Sequence, residues 1–248
     1  NLKAAIGKDV AVNLQSDGNI NLSEGASLVL NNGDKWQGAI NTTTGTSLTL
    51  DNFTGSEGIY TQSGGSLSLT NGSNLTLSNS GTLISGGTVS IANGNTLSIG
   101  NGAVIGGNTN TTVAGTLNVD KGGSIGGGVS AINKDGSAGP DTTVESGGNL
   151  NVSGSIEGNA NTTIQSGGTV NVNGGTIDTA GKTDIQDGAN LNINDGGNVT
   201  LHEGDSWEGT ITNNNSTLTL DNITHTADNS NGNYIQTEGT LNLNNGSN

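Results

Sequence analysis

Apolar and polar positions alternate in short segments along the whole chain. Two aliphatic residues separated by one polar residue recur, as in Leu48-Thr-Leu50, Leu117-Asn-Val119 and Val170-Asn-Val172. Such alternation is typical of a β-strand with one buried face and one exposed face. The segments are separated by Gly, Asn, Asp and Ser, which accept the backbone conformations of tight turns. The pattern therefore predicts an all-β chain of short strands.

A longer period is superimposed on this alternation. The segment 142–193 contains three related units, which begin at Thr142, Thr162 and Thr183 and read TTVESGGNLNV, TTIQSGGTVNV and TDIQDGANLNI. Three short strands fill about 20 residues, so one period corresponds to one turn, or rung, of a three-sided parallel β-solenoid. An antiparallel sandwich also has short, regularly spaced strands. It does not explain why every third strand resembles its predecessor. Division of the chain length by the period predicts about twelve rungs in a rod of about 58 Å.

The period is interrupted at residues 126–141. Val113 and Val144 occupy equivalent positions but lie farther apart than one period, so about eleven residues are predicted to leave the rod as an insertion loop. Loops on a regular scaffold often carry binding residues, which makes Lys134, Asp135 and Asp141 candidates for a binding loop. An insertion that is tolerated without any role is the alternative. A second, smaller expansion covers residues 224–233.

Two segments that contain tryptophan reveal a repeat of higher order. GDKWQG from Gly33 returns as GDSWEG from Gly204, and LTLDNFT from Leu48 returns as LTLDNIT from Leu218. A third pair, at Tyr60 and Tyr234, is separated by nearly the same length of chain. We therefore expect one continuous solenoid over 1–248, with a first copy at about 1–174 and the start of a second at 175–248. This organisation suggests a mature segment or an excerpt of a longer polypeptide with further copies.

The composition is compatible with a narrow rod. Only 29% of residues are hydrophobic and 2% are aromatic, values that also occur in disordered chains. The single proline, the 11% of charged residues and the regular alternation argue for an ordered chain. About six apolar residues in every period provide two inward side chains for each of three strands.

The charge and the composition argue against several classes of partner and of site. The net charge is −15, and a strongly acidic surface repels nucleic acids and anionic membranes. There is no cysteine, so disulfides and thiolate metal sites are excluded. No run of about 18 apolar residues occurs, which argues against insertion of this segment into a membrane as a helix.

The histidines give no indication of a metal or catalytic site. Neither His202 nor His225 has a neighbour at a spacing typical of metal ligands. We expect no catalytic residue and no cofactor. The carboxylates near the second tryptophan form one local cluster, of which Asp195, Glu203 and Asp205 are weak candidates for Ca²⁺ binding. A solvated acidic face is the simpler interpretation.

A few polar and aromatic positions are predicted to have structural roles. Trp36 and Trp207 either close the apolar interior at a corner or offer a flat surface for stacking on sugars. Outward asparagines at equivalent positions are expected to form a ladder along the rod; they are Asn118, Asn151, Asn171 and Asn192. Thr pairs at 111–112, 142–143 and 162–163 are expected to stack in the same way, and a flat threonine face would suit ice binding.

The units from Ser146 to Val152 and from Ser166 to Val172, together with the G-D-x-W-x-G and LTLDN blocks, resemble the passenger domains of bacterial autotransporters and haemagglutinin-like adhesins. The resemblance implies a right-handed parallel β-helix, in agreement with the usual hand of parallel crossovers. It also implies export to the cell surface or the extracellular space and a role in adhesion, aggregation or surface structure.

The residues and the resemblance together favour a non-catalytic structural or adhesive rod. Its partners would be host or neighbouring-cell glycans and proteins, or further copies of itself in fibres or aggregates. A carbohydrate-active β-helix enzyme is the first alternative, and it requires two carboxylates within about 10 Å in a groove. An ice-binding solenoid is the second alternative, and it requires outward Thr-x-Thr on many successive rungs.

Overall fold

A computed structural model describes residues 1–56, 58–126, 139–223 and 232–247. Its strands form three faces that run along a rod. Face 1 comprises β1 (Ala5–Ile6), β4 (Ser27–Asn31), β7 (Ser47–Asp51), β10 (Ser66–Thr70), β12 (Leu83–Ile91), β14 (Val104–Val113), β17 (Asp141–Val144), β20 (Asn161–Ile164), β23 (Thr183–Ile185) and β26 (Ser206–Trp207).

Face 2 comprises β2 (Asn13–Leu14), β5 (Lys35–Trp36), β8 (Thr54–Ser56), β11 (Asn74–Leu77), β13 (Thr96–Ile99), β15 (Thr116–Val119), β18 (Asn149–Val152), β21 (Thr169–Asn173), β24 (Asn190–Asn194), β27 (Thr210–Asn213) and β29 (Asn233–Gln236). Face 3 comprises β3 (Asn19–Asn21), β6 (Ala39–Thr42), β9 (Ile59–Gln62), β16 (Ser124–Ile125), β19 (Ser155–Gly158), β22 (Thr176–Thr179), β25 (Asn198–His202), β28 (Ser216–Asp221) and β30 (Gly239–Asn244). The first residues of β12 and β14 also belong to face 3.

Every strand pair in the described residues is parallel, and each strand pairs with its equivalent one turn away. The predicted all-β, three-sided parallel β-solenoid is confirmed. The rod has about ten turns rather than twelve. The reason is that turns differ in length: Ser47 pairs with Ser66, whereas Thr210 pairs with the more distant Asn233, and the insertion lengthens one turn further. The alternation of side chains defines strands but does not define the length of the corners between them.

The core is a column of aliphatic side chains that point inward from all three faces. On face 1, Leu28, Leu48, Leu67 and Val89 stack in register and are at most 1% exposed. Each buried aliphatic side chain contributes about 1.5–3 kcal/mol of hydrophobic stabilisation. Because the neighbours above and below are also aliphatic, this contribution accumulates along the rod, as expected for a repeat protein.

The insertion leaves and rejoins the rod without disturbing the register. Ile125 pairs with Ile156, and Val113 pairs with Val144, although the insertion lies between the members of each pair. The chain leaves at Gly126, where φ is +86° and an added Cβ would overlap the carbonyl oxygen of Glu157. Glycine is therefore required at this exit point.

The two blocks that contain tryptophan have matching local geometry but lie on different faces. Leu48 belongs to face 1, whereas its counterpart Leu218 belongs to face 3. Counted by faces, the step from β7 to β28 is seven and two-thirds turns. The later block is consequently displaced by one face around the rod axis.

The inward side of face 1 becomes polar in its second half. Thr111, Thr142, Thr162 and Thr183 stack in register, are at most 2% exposed, and their hydroxyl oxygens have no hydrogen-bond partner in the described residues. Equivalent atoms one turn apart are about 4.8 Å from each other, which is too far for a hydrogen bond. These hydroxyl groups therefore destabilise the rod.

Replacing one of these threonines with its apolar isostere is expected to stabilise the protein. Thr142→Val removes a buried hydroxyl that has no partner and keeps the β-branched shape, so the free energy of unfolding is expected to rise by about 1 kcal/mol. Urea unfolding followed by circular dichroism measures the change. Thr143→Val, on the outward side of the same strand, is the control and is expected to change stability by less than about 0.5 kcal/mol. A loss of stability in Thr142→Val would show that the hydroxyl has an essential partner.

Asparagine side chains form a continuous ladder on the outward side of face 2. Asn192 donates to Asn171, Asn171 to Asn151 and Asn151 to Asn118, each at 2.9 Å, and Asn118 donates to Ser98 at the same distance. Each inner amide both donates to one neighbouring turn and accepts from the other. The ladder thus links five successive turns through side chains as well as through the backbone.

Removal of one inner member of this ladder is expected to destabilise the rod. Asn171→Ala deletes two side-chain hydrogen bonds and should lower the free energy of unfolding by about 1–2 kcal/mol. Asn173→Ala provides a matched control on the same strand, because Asn173 is exposed and accepts one longer bond, 3.3 Å, from Asn194. Urea unfolding of both variants tests the ladder; equal effects would show that it contributes nothing beyond strand propensity.

Candidate functional site

A polar groove lies on the outward side of face 1, next to the insertion. It has a volume of about 540 Å³ and spans the four strands β14, β17, β20 and β23. Its side chains form two rows, one of Asn110, Asp141, Asn161 and Lys182, the other of Thr112, Thr143, Thr163 and Asp184. The period-two geometry of the strands places both rows outward, while the threonines between them face the core. We call this region the groove.

Some polar groups of the groove are engaged and others are available. Asn161 donates to Asp141 at 2.7 Å and accepts from the backbone N–H of Lys182 at 2.7 Å, and Asp184 accepts from Ser206. In contrast, the side chains of Asn110, Thr112, Thr143 and Thr163 have no hydrogen bond, and Lys182 has no ion pair, within the described residues. The groove therefore contains uncommitted donors and acceptors at fixed spacing.

A smaller hollow extends the groove toward the insertion. It has a volume of about 170 Å³ and is bordered by Asn108, Asn110, Gly139 and Asp141. Of the three predicted loop residues, Asp141 lies at the first position of β17 and lines the groove, whereas Lys134 and Asp135 lie outside the described residues. The expansion at 224–233 also lies mostly outside them.

The two tryptophans have the same local geometry. The indole Nε1 of Trp36 donates to the carbonyl of Gly38, and that of Trp207 donates to the carbonyl of Gly209, both at 2.9 Å. Each indole also packs edge-on against a tyrosine, with centroid distances of 6.0 Å to Tyr60 and 6.2 Å to Tyr234. Trp36 is 5% exposed, so it has no free face for a sugar ring, and Trp207 is half-buried.

The predicted calcium candidates Asp195, Glu203 and Asp205 lie at turns near the second tryptophan. Within the part of the chain that the structure describes, no three His, Asp or Glu side chains are grouped to hold a metal ion. Both oxygens of Asp205 accept backbone N–H groups, from Thr183 at 2.7 Å and from His202 at 2.8 Å. Glu203 accepts from Asn222 at 2.7 Å, and Asp195 occupies a turn with φ of +55°. Two of the three candidate carboxylates, Glu203 and Asp205, therefore already accept hydrogen bonds from the protein.

A charged cluster on face 3 was not predicted from the sequence. His202 Nε2 lies 2.8 Å from Asp178 Oδ1, and its Nδ1 lies 3.6 Å from Asp221 Oδ2. The hydrogen bond to Asp178 is the main reason that the pKa of His202 is raised above 6.5; partial burial opposes the rise, and the charges of Asp178, Asp205 and Asp221 add to it. Only the register of the turns brings these residues together, because His202 and Asp178 are far apart in the sequence.

This cluster is expected to make stability depend on pH. Since the folded state raises the pKa of His202, its contribution is complete below the unfolded value of 6.5 and is lost as the pH rises through the folded value. NMR titration of the imidazole, in a His225→Gln background that leaves one histidine, should give a pKa above 6.5, and Asp178→Asn should lower it. A titration of His202 at or below 6.5 would contradict this arrangement.

The geometry gives the two alternative functions no specific support. The carboxylates of the groove, Asp141 and Asp184, lie two strands and two positions apart, about 12 Å between their Cα atoms. The carboxylates that do meet in register, Glu157 and Asp178, lie on face 3 and do not line the groove. Outward Thr-x-Thr occurs on β27 and on β28, and no two successive described strands of one face carry it. Ice binding would need a long array of this kind.

Comparisons with known proteins add no argument about this chain. No family model and no curated protein matches the sequence. One solved structure, a hyperglycosylated fragment of TibA modified by TibC, aligns over 99% of this chain and 98% of that chain with 16% sequence identity and a TM-score of 0.30. A likeness at this level indicates nothing about function.

None of the described residues forms a helix that is long and apolar enough to cross a membrane.

Proposed function

We propose that this chain is a non-catalytic structural or adhesive rod at a bacterial cell surface or in the extracellular space. The observation that carries the proposal is the contrast between a rod that keeps its register and one long insertion. The turn that contains the insertion is longer than the other turns in the described residues, and the groove lies beside it. A rod of this kind holds a binding surface at a distance from its attachment point.

The chemistry of the surface supports a binding role more than a catalytic one. The groove offers hydroxyl, amide, carboxylate and ammonium groups, which suit hydrogen bonding to a polar partner. The net charge of −15 disfavours nucleic acids and anionic lipid surfaces as partners. Surface glycans, surface proteins and further copies of the chain are the partner classes that we propose.

The register shows which residues of the insertion can be removed while the turn keeps its ordinary length. Gly126 corresponds to Glu157, and Gly139 corresponds to Asn159, because Ile125 pairs with Ile156 and Asp141 pairs with Asn161. Replacement of residues 127–138 by one glycine therefore restores the ordinary length of a turn and should leave the rod folded.

Beads coated with the chain are expected to attach to epithelial cells or to bacteria of the producing strain, and the replacement variant is expected to lose most of that attachment. A second variant, with an equally long Gly/Ser segment in place of residues 127–138, separates the length of the insertion from its sequence. If wild-type beads attach to neither kind of cell, the adhesive proposal fails. If all three chains attach equally, the insertion is not the binding element.

A further inference from the structure

We propose that the groove binds a neutral, hydroxyl-rich glycan chain lying along the rod axis. The biological meaning of this inference rests on the proposed adhesive function, but the binding itself does not. The groove differs from the Asn ladder of face 2, where each inner amide is already engaged in both directions.

Available hydrogen-bonding groups line the groove in a regular row. Thr112, Thr143 and Thr163 are in register, and none of their hydroxyl groups has a hydrogen bond within the described residues. A hydroxyl group both donates and accepts, so a row of them matches the alternating donor and acceptor character of sugar hydroxyls. Amide and carboxylate groups in the parallel row add fixed acceptors and donors.

Charge and polarity narrow the class of ligand. The groove carries two carboxylates, Asp141 and Asp184, and one ammonium group, Lys182, on a protein with a net charge of −15. Phosphorylated, sulfated or acidic ligands are therefore disfavoured. No aromatic or large aliphatic side chain lines the groove among the described residues, which disfavours apolar ligands. The class of ligand that agrees with both observations is neutral and polar.

The shape of the groove suits a short stretch of polysaccharide. Its four strands are spaced about 4.8 Å apart, so its rows extend over about 14 Å, enough for about two or three sugar rings. Its volume of about 540 Å³ lies within the range of ligand pockets.

The test compares the same chemical change on the two sides of two strands. Thr143→Val/Thr163→Val removes two outward hydroxyl groups from the groove, whereas Thr142→Val/Thr162→Val removes two inward hydroxyl groups from the same strands. The probes are cellotriose, mannotriose and chitotriose, with a heparin-derived tetrasaccharide as the anionic counterpart. Binding is followed by amide NMR shifts of the labelled chain and by calorimetry.

At least one neutral trisaccharide is expected to bind, with shifts centred on β17, β20 and β23. The outward variant should lose about tenfold in affinity, because two hydrogen bonds are removed, and the inward variant should bind like the wild type. Lack of binding by all three trisaccharides, preference for the heparin fragment, shifts outside the groove, or equal affinity of the two variants would overturn the inference.

The bead assay separates this inference from the proposed function. If the chain attaches to cells but binds no neutral trisaccharide, the glycan inference falls and the adhesive rod stands. If a trisaccharide binds in the groove but beads attach to no cell, the groove remains a glycan site and the adhesive function falls.

Discussion

The structure depends on the in-register stacking of parallel strands along one axis. Backbone N–H and C=O groups of a face bond to the equivalent strands one turn away, so every turn is held by its two neighbours. Like residues therefore meet like residues, and a row of side chains behaves as one unit. The aliphatic column, the Asn ladder and the two rows of the groove all follow from this single arrangement. The insertion is tolerated because the strands on either side of it keep their register. Ile125 still pairs with Ile156, and Val113 still pairs with Val144, on the next turn.

The displaced repeat shows that two different corners of the rod can hold the same turn. Asp34 and Asp205 each accept two backbone N–H groups at distances of 2.7 to 2.8 Å, and Gly33 and Gly204 have φ of +94° and +93°. These blocks nevertheless sit on different faces. Their geometry is thus encoded locally, by the turn residues and the strand that follows. A three-sided rod can accept a block at any corner, provided that the inward side chains fit the turns above and below.

The sequence was sufficient for the fold and for part of the polar detail. Alternation and period together predict three strands in each turn, and equivalent positions such as Asn151 and Asn171 predict the ladder. The number of turns and the face of each block were not predictable. Both depend on corner lengths, which vary from turn to turn without changing the alternation. The contact between His202 and Asp178 could be predicted only with the register of the turns. The groove could be predicted only with the positions of the outward side chains on four strands. The one sequence signal for the groove was the row of outward threonines beside the insertion.

A regular rod and a specific binding surface place opposite demands on polar side chains. In a ladder, each amide satisfies its neighbour, which stabilises the stack and leaves little capacity for an external ligand. Threonine hydroxyls are too short to reach across about 4.8 Å, so a stacked row of them cannot satisfy itself. On the inward side this geometry costs stability, as at Thr142 and Thr162. On the outward side it leaves Thr143 and Thr163 available to a ligand that supplies the missing partners, and the same physical limit thus separates scaffold from candidate site.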